Sequence, residues 1–212
     1  MKKVSFIAAT AFAVILTALT PGKAIAQKYQ GQMNATAGAS FSLTGLFVNA
    51  VLNTVDQAGG VNTSSLPGLN VMFDYGVSDR FSVGGAYYYQ SFTTNFTSYV
   101  DTNGVTQNGD YKITLVRQNP AVRMLFHFGD NDDLDTYAGA RIGYTLWSTR
   151  SDVPANSGLD LDVSAVRSQI RPQGLFGMRY FFTENIGANV ELAVGAPYFM
   201  MIGLNARFGG SK

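Results

Sequence analysis

The feature that most constrains this chain is a period-two alternation of bulky apolar with small or polar side chains, repeated in stretches of roughly ten to sixteen residues. From Phe81 to Tyr89 one face carries Phe81, Val83, Gly85, Tyr87 and Tyr89, and the other carries Ser82, Gly84, Ala86 and Tyr88. From Ile186 to Val194 the split is Ile186, Ala188, Val190, Leu192 and Val194 against Gly187, Asn189, Glu191 and Ala193. From Tyr198 to Phe208 it is Tyr198, Met200, Ile202, Leu204, Ala206 and Phe208 against Phe199, Met201, Gly203, Asn205 and Arg207. Side chains alternate sides only along extended backbone, so these are strands with unlike faces.

Eight such segments are legible, at about 32–43, 66–77, 80–91, 111–128, 135–149, 167–182, 185–195 and 198–208. Short polar connections at Ser78-Asp79, Asp130-Asn131-Asp132-Asp133 and Thr183-Glu184 alternate with long ones at roughly 44–65, 92–110 and 150–166. The last connection, Ala196-Pro197, is tight. Short turns on one side and long loops on the other are how transmembrane barrels join their strands.

The bulky face is nearly free of charge, whereas the opposite face holds Asp74, Arg123, Arg141, Arg171, Arg179, Glu191 and Arg207. If the bulky face pointed inward, as in a water-soluble barrel, the outer surface would be mostly Gly, Ala and Ser with a few Arg. The bulky face is therefore placed in lipid. Aromatic residues gather near the segment ends, with Phe73, Tyr75, Phe81, Phe128, Tyr180, Phe182 and Phe208 toward the short turns and Tyr87, Tyr89, Tyr144 and Tyr198 toward the long loops. Amphipathic rings favour the headgroup level, which accounts for two bands.

Composition agrees. Charged residues are 14% of the chain, against about 25% in ordinary globular proteins. Beyond Lys28 the only lysines are Lys112 and Lys212, although soluble sheets use lysine to solvate and blunt their edges. The absence of cysteine excludes disulfides, thiol chemistry and a lipid-modified terminal cysteine. No basic excess points to nucleic acid.

The first residues order themselves as Met1-Lys2-Lys3, an apolar run from Val4 to Leu19, Pro21-Gly22, and the small-residue triplet Ala24-Ile25-Ala26. This is the pattern of a secretory signal peptide over residues 1–26, cleaved before Gln27, leaving 27–212 as one barrel domain. As a membrane anchor the run falls short of the roughly 20 residues needed.

The stretch from Gly177 through Met178-Arg179-Tyr180-Phe181-Phe182-Thr183-Glu184-Asn185-Ile186 to Asn189, and the closing run Ile202-Gly203-Leu204-Asn205-Ala206-Arg207-Phe208, resemble the OmpA/OmpX-type family of small outer-membrane β-barrels. The resemblance implies an eight-stranded antiparallel up-and-down transmembrane barrel in the bacterial outer membrane, inserted as a monomer by the β-barrel assembly machinery. It also implies that Phe208 ends the assembly signal, although Gly209-Gly210-Ser211-Lys212 follows where such a signal usually closes the chain. The cell-wall-binding domain that follows the barrel in longer relatives is not expected.

Asp74, Arg123, Arg141, Arg179 and Glu191 fall within a few residues of the short-turn end and are expected to share one lumen layer, as a structural network or as pore-lining groups. Unpaired charges in so narrow a space are costly, so they should pair, with Arg179 and Arg141 expected on Glu191. Lipid hydrolysis would need His127, the only histidine, to activate a serine, but His127 lies beside a short turn and no Gly-x-Ser-x-Gly elbow occurs. Lumen arginines would keep Asp74 and Glu191 both ionised, unlike an acid pair. No catalytic residue, metal site or cofactor is expected. A hydrophobic conduit near Leu175, Phe199 and Met201 is opposed by the arginines.

The long loops are left to meet an extracellular partner. In 92–110, Asn103-Gly104 and Asn108-Gly109 suggest a hairpin reaching past the membrane. In 44–65, Leu46, Phe47, Val48, Val51 and Leu52 fit either a short helix or loop packing. The expectation is a structural or loop-mediated interaction protein with a charge-plugged lumen; the alternative is a narrow, porin-like channel for small solutes or ions.

Overall fold

A computed structural model describes residues 30–47, 61–128, 131–154 and 168–209. The segment read as a signal peptide, most of two long loops and the tail after Gly209 lie outside the described residues. The strands are β1 (Gln32–Phe41), β2 (Val61–Ser65), β3 (Gly68–Ser78), β4 (Phe81–Val100), β5 (Thr106–His127), β6 (Leu134–Ser151), β7 (Gln169–Phe181), β8 (Ile186–Gly195) and β9 (Met200–Gly209).

Antiparallel pairing runs from β1 to β3, β4, β5, β6, β7, β8 and β9 in turn, and β1 pairs with β9 through the register Met33 to Phe208, so the sheet closes on itself. β2 and β3 both pair with β4, from Val61 opposite Phe96 to Ser78 opposite Phe81. Together they form one barrel strand interrupted at Leu66-Pro67, where proline has no N–H to donate and Leu66 N bonds Ser91 O at 3.2 Å. The nine segments thus make an eight-stranded antiparallel β-barrel, matching the eight segments read from sequence. Pairing of β1 with β9 closes the sheet, the condition for sheet to cross hydrocarbon.

The alternation resolves as expected. β3 alternates buried and exposed along Gly68–Val77, with Leu69, Val71, Phe73, Tyr75 and Val77 on the outside. Val83, Tyr87, Val122, Met124, Phe126, Ile142, Tyr144, Val190, Ile202 and Leu204 continue this apolar belt. The exterior is hydrocarbon and the interior is polar: Asn34, Thr36, Asn70, Asn119, Gln173, Asn189 and Asn205 are buried inside with the charged groups. The fold is that of a transmembrane β-barrel.

Two features of the long connections matter for function. β4 and β5 run on well past their neighbours, so 92–110 is mostly strand, turning at Asn103-Gly104 with Gly104 at φ 79°, while Asn108-Gly109 lies within β5. Residues 43–47 form one helical turn capped by Ser42, whose Oγ accepts from Gly45 N at 2.9 Å. Leu46 and Phe47 are exposed on that turn; Val48, Val51 and Leu52 lie outside the described residues.

Candidate functional site

The lumen is where this sheet concentrates chemistry. Inward parity and register bring Asp74 on β3, Gly84 on β4 and Arg123 on β5 side by side. Gly84 is small for a steric reason: a Cβ there would lie 2.5 Å from Asp74 Oδ1. The gap it leaves lets Arg123 Nε approach Asp74 Oδ1 at 3.1 Å. From there Arg123 spans the barrel to Glu191 on β8, Nη2 to Oε2 at 2.7 Å. Glu191 also accepts from Tyr137 at 2.8 Å and from Tyr198 at 2.5 Å. The Glu191 carboxylate thus accepts from one guanidinium and two phenols, the charge-assisted bonds being the strong kind.

Arg179 on β7 donates to Asp74 Oδ2 and, at 3.2 Å, to Asp135 Oδ2 on β6. Its guanidinium lies over the Tyr137 ring, 4.6 Å from the centroid, and Arg123 approaches the same ring at 5.8 Å. Asp135 Oδ1 lies 2.8 Å from His127 Nδ1, and His127 Nε2 lies 2.8 Å from Ser82 Oγ. One connected set therefore joins six barrel strands, and every member is at most 2% exposed.

Ser82, His127 and Asp135 have the contacts of a nucleophile, base and orienting acid. Two observations count against catalysis there. Ser82 is enclosed at 2% exposure, and the Asp135 carboxylate is shared with the Arg179 guanidinium, which ties the triplet into the ion-pair set.

The sequence-derived residues do not all belong to this layer. Asp74, Arg123, Arg179 and Glu191 come together. Arg141 is buried but does not bond Glu191; its Nη2 donates to Asn119 Oδ1 at 2.8 Å and Asn119 O at 3.2 Å, and it lies over Tyr198 at 5.3 Å. Arg179 serves the two aspartates, and Arg123 takes the place on Glu191 that sequence reading gave to Arg179 and Arg141. Arg171 has inward parity but stands exposed at the long-loop end, against Gln169. Arg207 is at the opposite mouth, where Nε donates to Glu184 O at 2.8 Å and Nη1 to Asp132 O at 3.0 Å while the guanidinium covers Phe181 at 3.9 Å. It latches two short turns to the last strand rather than joining the ion pairs. Phe208 faces outward opposite Met33, half exposed.

Three buried residues, Asp135, Tyr137 and Arg117, escaped sequence reading, and His127 was weighed there as a catalytic base rather than as a member of the charge layer. Asp135 and His127 sit beside a short turn, and Tyr137 and Arg117 share inward parity with Arg141 and Arg123 respectively. Parity was the available signal for all four. Tyr198, expected in the outer aromatic band, is 1% exposed and points into the lumen, because pairing of the last strand begins only at Met200.

No protein-family model and no curated protein matches the sequence. Among solved structures the chain is similar to the outer membrane protein OprG from Pseudomonas aeruginosa, with 14% identity, a TM-score of 0.52, and coverage of 88% of this chain and 100% of that one. A de novo designed transmembrane β-barrel is 13% identical with a TM-score of 0.46, covering 87% of this chain and 100% of that one. Ail, the attachment invasion locus protein of Yersinia pestis, solved with a heparin analogue, is 14% identical with a TM-score of 0.43 over 84% of this chain and 99% of that one. Closed eight-stranded pairing, an apolar exterior and the match to OprG agree: the chain has the fold of the OmpA/OmpX-type outer-membrane β-barrels.

Proposed function

We propose that this protein is a structural, loop-displaying component of the bacterial outer membrane whose barrel is sealed to solute flow by its lumen charges. The supporting observation is the buried set running from Ser82 through His127, Asp135, Arg179, Asp74 and Arg123 to Glu191. An eight-stranded barrel has room inside for little beyond side chains. A paired layer across it removes the water path and stabilises the wall, since each ion has its counter-ion within contact range. Under this reading Ser82 and His127 are members of the seal and carry no catalysis.

The same reading takes outer-membrane lipid as the solvent, export by a signal peptide cleaved before Gln27, insertion by the β-barrel assembly machinery with Phe208 in the signal, and a monomeric barrel. The short turns then face the periplasm and the long loops the exterior. The β4–β5 hairpin is the natural contact for an extracellular partner. From its last pairing with β2, Phe96 opposite Val61, outward, it carries stacked Phe96 and Tyr111 at 5.6 Å and an edge contact from Tyr99 to Tyr111 at 4.8 Å, which stiffen it.

Liposome swelling tests the seal. Vesicles containing the refolded protein should shrink and stay shrunken in a small sugar, as protein-free vesicles do. Re-swelling faster than the protein-free control would favour a narrow channel.

A further inference from the structure

The two halves of the lumen differ in charge. Among the described residues the buried carboxylates are Asp74, Asp135 and Glu191, and the buried arginines are Arg117, Arg123, Arg141 and Arg179. Of the four buried arginines, Arg123 and Arg179 are the two that pair with these carboxylates. Four buried arginines against three buried carboxylates leave one surplus positive charge between these two residue types, and Arg171 adds another at the mouth.

That surplus sits in the long-loop half, and its hydrogen-bonding capacity is unfilled. Arg117 donates to Pro197 O at 3.3 Å and Thr44 Oγ1 at 3.4 Å, and Arg141 to Asn119 Oδ1 at 2.8 Å. Arg117 Nε and Arg141 Nε and Nη1 have no hydrogen-bond acceptor, nor does Asn70 Nδ2, whose residue lies opposite Tyr88 in register. Both arginines are deeply buried, at 4% and 1% exposure. They flank one aromatic stack: Arg117 lies over Tyr88 at 5.7 Å, Arg141 over Tyr198 at 5.3 Å, and the two rings stack at 6.1 Å.

We propose that the long-loop half of the lumen binds a small oxyanion, the carboxylate or phosphate group of a solute, with Arg117 and Arg141 as ligands and Arg171 at the entrance. Two buried guanidiniums with unused donors are costly unless an acceptor of opposite charge arrives, and the planar donor fork matches carboxylate and phosphate oxygens. Tyr88 and Tyr198 hold the guanidiniums in place from their ring faces. The layer below, where Asp74, Asp135 and Glu191 outnumber Arg123 and Arg179, offers an anion no such site, so the ligand stops above it. The inference rests on the barrel fold and stands whether or not the lower layer conducts.

The test uses the full mature chain refolded in lipid vesicles, with inorganic phosphate as the probe and chloride at matched ionic strength as the control. In arginine-labelled protein, the Nε–H signals of Arg117 and Arg141 should shift saturably with phosphate while those of Arg123 and Arg179 stay fixed. Phosphate should also raise the urea midpoint, since a ligand bound only by the folded state stabilises it. Phosphate strengthens burial in any protein. The double variant Arg117→Met, Arg141→Met therefore serves as the baseline, and its midpoint should rise less. An equal rise in both proteins, or guanidinium signals that do not move, overturns the site. If the double variant fails to fold, the wild-type titration alone decides, saturable shifts confined to Arg117 and Arg141 supporting the proposal and their absence refuting it.

Discussion

Arg123 Nη2 and Glu191 Oε2 stand 2.7 Å apart with both side chains fully enclosed, although their strands, β5 and β8, are not neighbours in the barrel wall. The bond crosses the lumen, so it couples opposite walls in a way that no ladder hydrogen bond can. Glu191→Ala would leave the Arg123 charge with only Asp74 and free two tyrosine hydroxyls. Its expected cost is about 3–5 kcal/mol, against well under ~1 kcal/mol for an exposed pair. Urea unfolding in lipid vesicles reads the difference as a lowered midpoint. The paired replacement Arg123→Met, Glu191→Leu should cost less than Glu191→Ala alone, because it removes one charge of each sign and leaves Asp74 paired with Arg179.

Ser82 and His127 provide a separate check on the proposal that they belong to the seal. A fluorophosphonate, which labels activated serines, should leave the folded protein unmodified under conditions that label a serine hydrolase completely. Ser82→Ala should instead lower stability by about 1–3 kcal/mol, the cost of leaving a buried polar partner unsatisfied. Stoichiometric labelling at Ser82, read by mass spectrometry, would assign it a nucleophilic role.

Most of the fold was legible because a barrel in lipid has only two environments, and a period of two sorts residues between them. Asp74, Arg123, Arg179 and Glu191 followed from that sorting. Their partners did not, because a pair formed across the lumen depends on strand stagger and on which small residue opens a gap, as Gly84 does between Asp74 and Arg123. Asp135 was obscured by its place beside an acidic turn. Tyr198 was misplaced because alternation does not carry through residues that precede the paired part of a strand.

The hairpin tip has its own pH dependence. Backbone N–H groups of Val105 and Asn103 and the Gln107 amide hydrogen-bond the Asp101 carboxylate, holding its pKa below the ordinary value of about 4, the Val105 bond contributing most. A depressed folded-state pKa gives order that is present above the ordinary value and is lost as pH falls through the folded one. Amide exchange at Asn103 and Val105 should be slow at neutral pH and accelerate, relative to intrinsic rates, only below pH of about 4. Asp101→Asn should leave both amides less protected at neutral pH, and protection unchanged in that variant would remove Asp101 from the turn's support.

Orientation is open to protease applied to intact cells. Cuts should fall within 44–65, 92–110 or 150–166, or not occur at all, while the short turn at Asp132 and Asp133 stays intact. Cleavage in that short turn would invert the topology.

The claim on which the account turns is that the charge layer closes the lumen, and single-channel recording in planar bilayers addresses it most directly. The wild-type protein should give no current steps above the lipid background, and Arg123→Ala with Arg179→Ala, which removes both cations of the layer, should give steps if the barrel still inserts. Stable, ohmic steps from the wild-type protein would contradict the seal and make the barrel a narrow channel.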